Sequence, residues 1–206
     1  MQKLLLHHDQ LLKGNFEIKP LNFLFVFQVN CPGCFLHGIP LVNELYKEFK
    51  DDLSFLGLST AFEDFEFNNE ENTQKLLFNH EVIGETKKSL NTYEIDPKSI
   101  DIEFPVAMDS QSTKEFDFKN SAKQICQINP NYKIWPEFEQ NALEDKVITY
   151  LKNLEQISLT FTLNQFKGTP TMIVFNNEYE ILYNKFGHTD VNTIKSKLKE
   201  LIGNFG

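Results

Sequence analysis

Residues 21–29 read Leu-Asn-Phe-Leu-Phe-Val-Phe-Gln-Val, and Cys31-Pro32-Gly33-Cys34 follows almost at once. A short, nearly unbroken apolar run rich in aromatics and valine suits a strand buried on both faces, as in a parallel sheet covered by helices. From Phe35 to Phe49, Leu36, Ile39, Leu41, Val42, Leu45, Tyr46 and Phe49 fall near helical spacing. Pro40 marks a kink in that helix. Leu53–Thr60 reads as the next strand, so residues 21–60 form a right-handed strand–helix–strand unit with a cysteine pair at the first junction.

The rest of the chain extends this α/β pattern. Phe16–Ile18 reads as an edge strand before Pro20. Residues 68–93 are polar and predict two short helices broken near Gly84, and Phe104–Asp109 predicts a short strand. Turn signals at Asn129-Pro130 and Trp135-Pro136 interrupt the long stretch from Ser110 to Lys167. Within it, Phe138–Ile157 has amphipathic helical spacing. Tyr132, Ile134, Trp135 and Phe138 are expected to dock this stretch on the rest of the protein. Leu159–Phe166 alternates like a strand, but its position favours a continuing helix. Thr171–Phe175 and Ile181–Phe186 flank a polar loop and predict a hairpin. Asp190–Ile202 predicts a closing amphipathic helix capped by Asp190.

Composition excludes several classes. The 206 residues carry a formal charge of −9 and contain no arginine. Nucleic acid and anionic membranes demand a basic surface, so neither is an expected partner. No segment reaches the roughly 18 consecutive apolar residues of a membrane helix. Residues 1–9 lack the apolar core of about 7–15 residues that a secretory signal needs. Three cysteines are too few for a secreted disulfide framework, so the expected location is the cytoplasm. There a CxxC serves catalysis or metal binding more often than structure.

Strand, CPGC, helix, strand, an α-rich middle, Gly168-Thr169-Pro170, a hairpin and a final helix together resemble the thioredoxin-like superfamily. More narrowly they resemble its TlpA-like and redoxin branch, in which a strand ending Phe-Pro-x-x-x-Asp, here Phe104–Asp109, lies between the two halves. The matched portions are Leu21–Thr60, Phe104–Asp109 and Gly168–Gly206, a little under half the chain. The resemblance implies a single domain over residues 1–206 with a central mixed sheet flanked by helices. Residues 110–165 exceed that family's usual connection and read as a helical insertion before the strand that follows a cis-proline.

The resemblance also implies thiol–disulfide oxidoreductase chemistry with no bound cofactor, on protein or small-thiol disulfides, recharged by an external reductant. A thiolate is the attacking species, and a strand-to-helix junction offers it unpaired N–H groups and the positive helix end. Cys31 is then the exposed nucleophile and Cys34 the buried resolving thiol, with Pro32 and Gly33 shaping the ring between them. Pro170 is the expected cis-proline, and the backbone of Thr169 is left to hold an extended substrate. The family's buried acid, six residues before the nucleophile, is replaced here by Phe25. Glu63, at the carboxyl edge of the second strand, is the candidate replacement base if partly buried. Cys126 reads as a buried small hydrophobe or as a third redox thiol.

Other readings compete. A zinc site needs about four N/S ligands, whereas this sequence offers one CxxC with His37 a turn beyond. His7, His8, His80 and His188 have no partner spacing. A peroxiredoxin-like peroxidase resembles the same branch, but Gln28-Val29-Asn30 replaces its Pro/Thr pattern and its arginine is missing. A Sco-like copper carrier would use both cysteines and a distant histidine, although that family's cysteines are three residues apart. A non-catalytic interaction module acting through the insertion is a further alternative.

Overall fold

The computed structural model describes residues 2–205 and holds one six-stranded mixed sheet in the order β1-β4-β3-β2-β5-β6. The strands are β1 (His8–Lys13), β2 (Leu21–Phe27), β3 (Ser54–Ser59), β4 (Val106–Asp109), β5 (Thr171–Asn176) and β6 (Ile181–Phe186). The central strands β2, β3 and β4 run parallel, while β1, β5 and β6 are antiparallel to their neighbours. Successive side chains of a strand point to opposite faces. Phe23, Phe25 and Phe27 therefore enter one apolar cluster with Ile39, Val42, Leu45, Ile194 and Leu198. Leu24 and Val26 enter another with Leu56, Leu58, Phe161, Ile173 and Phe175. That two-sided burial is what the apolar run of β2 predicts.

The helices are α1 (Ile39–Phe49), α2 (Glu70–Asn79), α3 (Gly84–Thr92), α4 (Phe118–Cys126), α5 (Glu137–Lys152), α6 (Leu159–Leu163) and α7 (Val191–Phe205). Residues 159–163 are helical, the choice their position favoured. Asp190 Oδ1 accepts the N–H groups of Asn192 and Thr193 at 3.0 and 3.2 Å, so it caps α7 as its residue type predicts. Among the described residues, no helix is long and apolar enough to cross a membrane.

Three sequence expectations need correction. The strand near the N-terminus is His8–Lys13, not Phe16–Ile18, which lies in a loop. The helix expected to reach Ile157 ends at Lys152. Of the four aromatic and apolar residues expected to dock residues 110–165, Tyr132 is buried and its hydroxyl donates to Glu144. Trp135 packs edge-on against Tyr132 at 6.5 Å, whereas Ile134 and Phe138 are 79% and 72% exposed. Ala122, Ile125, Leu151, Ile157 and Leu163 form this stretch's own apolar cluster, against which Leu5 packs, while Phe161 joins the cluster on the sheet.

Asp109 ties the sheet to the segment that leads into β5. It is buried at the end of β4, and its carboxylate accepts the N–H groups of Thr160 and Phe161 and the hydroxyl of Thr60, at 2.8–2.9 Å. It caps α6, whose own preceding residue Ser158 provides no side-chain cap. Burial pushes its pKa from 3.8 up to about 6, against the lowering effect of those hydrogen bonds. Between these values folded Asp109 holds a proton that the unfolded chain has released. Its contribution to stability is therefore complete below pH 3.8 and lost as pH rises through about 6. The change is about 3 kcal/mol. Urea denaturation at pH 4 and pH 7 should show that Asp109→Asn removes this component of the decline. An unchanged pH slope in the variant would refute the assignment.

Candidate active site

Cys31 immediately precedes a helical run that begins at Pro32. Its sulfur lies 3.2 Å from the backbone nitrogen of Cys34, whose N–H points at it as a helix N–H points at a capping side chain. Residues 34–38 then form a wide π turn, and the N–H of Ile39 bonds to the carbonyl of Cys34 rather than of Phe35. Pro40 supplies the reason. It has no N–H for the carbonyl of Leu36, and its ring would crowd that oxygen in a regular α turn. Cys31 and Cys34 are joined in a disulfide with Cα atoms 5.3 Å apart. Cys31 is 9% exposed and Cys34 is 0% exposed, so the nucleophile expected to be exposed is nearly buried in the disulfide, although it is the less buried of the two.

The floor beneath this turn is aromatic. Phe25 is fully buried, stacks on Phe27 at 5.6 Å and meets the edge of Phe104 at 5.9 Å. A Cβ at Gly38 would come within 2.8 Å of its ring, so glycine lets the wide turn settle onto Phe25. The buried acid that the resemblance leads one to look for is thus replaced by a packed apolar ring.

The Thr169–Pro170 peptide is cis. The carbonyl of Thr169 stands 3.8 Å from Cys31 Sγ, and its hydroxyl donates to Gln28 Oε1 at 3.1 Å. The carbonyl of Pro170 accepts the N–H of Gly187 at 2.8 Å, which pins the loop after β6 against the proline. Pro32 and Gly33 are half-buried, with Gly33 facing Pro170. The predicted residues Cys31, Pro32, Gly33, Cys34, Thr169 and Pro170 therefore converge on one edge of the sheet.

Glu63 does not join them as expected. It is exposed, and it meets the site through its backbone carbonyl, which accepts from Asn68 Nδ2 at 2.9 Å and Gln28 Nε2 at 3.5 Å. Its neighbour Phe62 turns inward to stack on Phe161 at 4.0 Å, which leaves the Glu63 carboxylate on the solvent side. The premise of partial burial is not met. Asp64 makes the side-chain link instead, its Oδ2 accepting from Asn30 Nδ2 at 2.8 Å.

That link belongs to a polar clamp missed at the level of sequence. The carbonyl of Val29 accepts the Thr86 hydroxyl at 2.8 Å, and the N–H of Asn30 donates to Asn68 Oδ1 at 2.9 Å. Asn30 Oδ1 accepts the N–H of Glu85 at 2.7 Å, capping α3 from outside because Ile83 cannot. Gly84, at φ +50, presses so closely on Asn30 that a Cβ there would collide with it. The residue before Cys31 is therefore held by the loop that leads into α2 and by the start of α3. Asn30→Ala should lower stability by about 1–2 kcal/mol in urea denaturation, the usual cost of a lost cap. A loss below 0.3 kcal/mol would refute that role.

His37 lies on the wide turn, and its ring meets that of His188 at 4.8 Å. His188 has no partner at any spacing along the chain; the fold supplies one. Cys126 is buried with a free thiol, and burial, followed by the charge of Glu144, pushes that thiol's pKa up. Among the described residues, no group of three or more His, Cys, Asp or Glu side chains is placed to hold a metal ion.

The sequence matches no family model and no curated protein. Solved structures do match. The crystal structure of SPOA0173, described as a thioredoxin-like superfamily protein, superposes with a TM-score of 0.59 at 19% identity, covering 98% of this chain and 97% of the other. A thiol-disulfide isomerase from Corynebacterium glutamicum gives a TM-score of 0.55 at 17% identity, covering 98% and 94%. These likenesses span nearly the whole chain and agree with its mixed sheet: the chain has the thioredoxin-like fold.

Proposed function

We propose that the protein is a thiol–disulfide oxidoreductase acting on protein or small-thiol disulfides, with Cys31 as nucleophile and Cys34 as resolving thiol. The observation that carries this reading is the asymmetry of the pair beside Pro170: Cys31 is the less buried residue and a helix N–H aims at its sulfur, whereas Cys34 is fully sealed. In the reduced state the Cys31 thiolate attacks a substrate disulfide, and one substrate sulfur leaves as a thiolate and takes a proton. Cys34 then loses its proton and attacks Cys31 Sγ. The second substrate thiol is released and the Cys31–Cys34 disulfide forms. An external dithiol supplies the two electrons and two protons that restore the pair.

Residues 110–165 are, in this reading, an insertion into one thioredoxin-like domain of the TlpA-like branch. The reducing cytoplasm is the assigned compartment, three cysteines being too few for a disulfide framework. Pro32, Gly33 and Thr169 shape the substrate face. Catalytic protein should accelerate insulin reduction by dithiothreitol. A rate equal to that of dithiothreitol alone would overturn the assignment, as would peroxide consumption or stoichiometric Cu(I) uptake without insulin reduction.

A further inference from the structure

Beside the cysteine pair runs a small, mostly apolar cleft, floored by Gly33, Gly38, Leu41, Pro170 and Met172, with His37 and His188 at its rim. Both histidines are exposed, yet their rings touch edge to face at 4.8 Å across two separate elements. Each element is fixed: His37 by the wide turn that carries Cys34, and His188 by the Gly187–Pro170 hydrogen bond. Among the described residues, neither ring makes a salt bridge or a hydrogen bond to a protein carboxylate.

The acidic groups on the same elements are already engaged. Glu44 and Glu48 of α1 pair with Lys195, and Glu48 also pairs with Lys199, both lysines lying on α7. Asp190 caps α7, and Lys185 projects from β6 into solvent. An anion at the solvent edge of the pair accepts an N–H hydrogen bond from each ring.

We propose that His37 and His188 form an anion-recognition subsite of this cleft, favouring disulfide substrates that carry an Asp or Glu beside the reactive cysteine. The proposal rests on the redox reading above, and it adds a substrate class. Its chemistry is a contact from imidazole N–H groups to a carboxylate at the rim of an apolar slot, with the substrate backbone lying along Thr169.

The test uses the reduced protein and thionitrobenzoate mixed disulfides of acetyl-Gly-Cys-Xaa-amide, with Xaa as Glu, Gln or Lys. Release of thionitrobenzoate should be about three- to fivefold faster per unit concentration for Glu than for Gln, and slowest for Lys. In His37→Gln/His188→Gln the Glu-to-Gln ratio should fall toward one. A ratio in that variant as large as in the wild type, or no preference in the wild type, overturns the subsite. Should no peptide react, the redox reading fails. The subsite is then decided by imidazole Cε1–H chemical shifts on adding acetyl-Gly-Ser-Glu-amide. Shifts confined to His37 and His188, absent with the Gln peptide, support it; their absence overturns it.

Discussion

Cys31→Ser should reduce dithiothreitol-driven insulin reduction to the uncatalysed rate, a loss on the order of a thousandfold or more. Serine keeps the size and position of the side chain but lacks an ionised nucleophile at neutral pH. Neither remaining cysteine can take over. Cys34 is fully sealed, and Cys126 is buried with a thiol held further from ionisation by burial and by Glu144. Thermal unfolding should still be cooperative, because serine nearly matches cysteine in size and leaves the rest of the core cluster unchanged. A Cys31→Ser protein that retains even a tenth of wild-type activity would contradict the assignment of the nucleophile.

The largest stability effect is expected at Phe25. Phe25→Ala should lower unfolding free energy by about 3–5 kcal/mol, the usual cost of deleting a fully buried aromatic ring. The ring contacts Phe27 and Phe104 and fills the space beneath Gly38, so the cavity opens directly under the turn that carries Cys34. Phe25→Leu, which fills much of that space, should recover a large part of the loss. Urea titrations of the two variants provide the check. A loss below 1 kcal/mol for Phe25→Ala would mean that the ring is not the floor of the site.

The elements that were legible in the sequence are those whose pattern is set by burial. The run of β2 is apolar on both faces because both faces are covered, and the hairpin of β5 and β6 is delimited by its polar loop. The cysteine pair and Thr169-Pro170 stood out because few residue types can do their chemistry. By contrast, β1 reads His-Asp-Gln-Leu-Leu-Lys, a largely polar edge with two register irregularities against β4. Only its partner makes it a strand, and no local pattern announces that.

The site's supporting shell was illegible for a related reason. Asn30 is linked to Asp64, Asn68 and Glu85 across 34 to 55 residues, and Gln28 to Thr169 across 141. Hydrogen bonds at such separations leave no period in the sequence. Glu63 shows the converse difficulty. Its position after β3 was read correctly, but which of two adjacent side chains turns inward depended on Phe62 finding Phe161.

The most direct measurement is a trap. Cys34→Ser protein, incubated with a disulfide substrate and quenched with acid, should accumulate a mixed disulfide that intact-mass and peptide analysis place on Cys31. The wild-type protein should show little adduct, because Cys34 resolves it. Adduct on Cys126 alone, or none on Cys31, would contradict the assigned order of the two sulfurs.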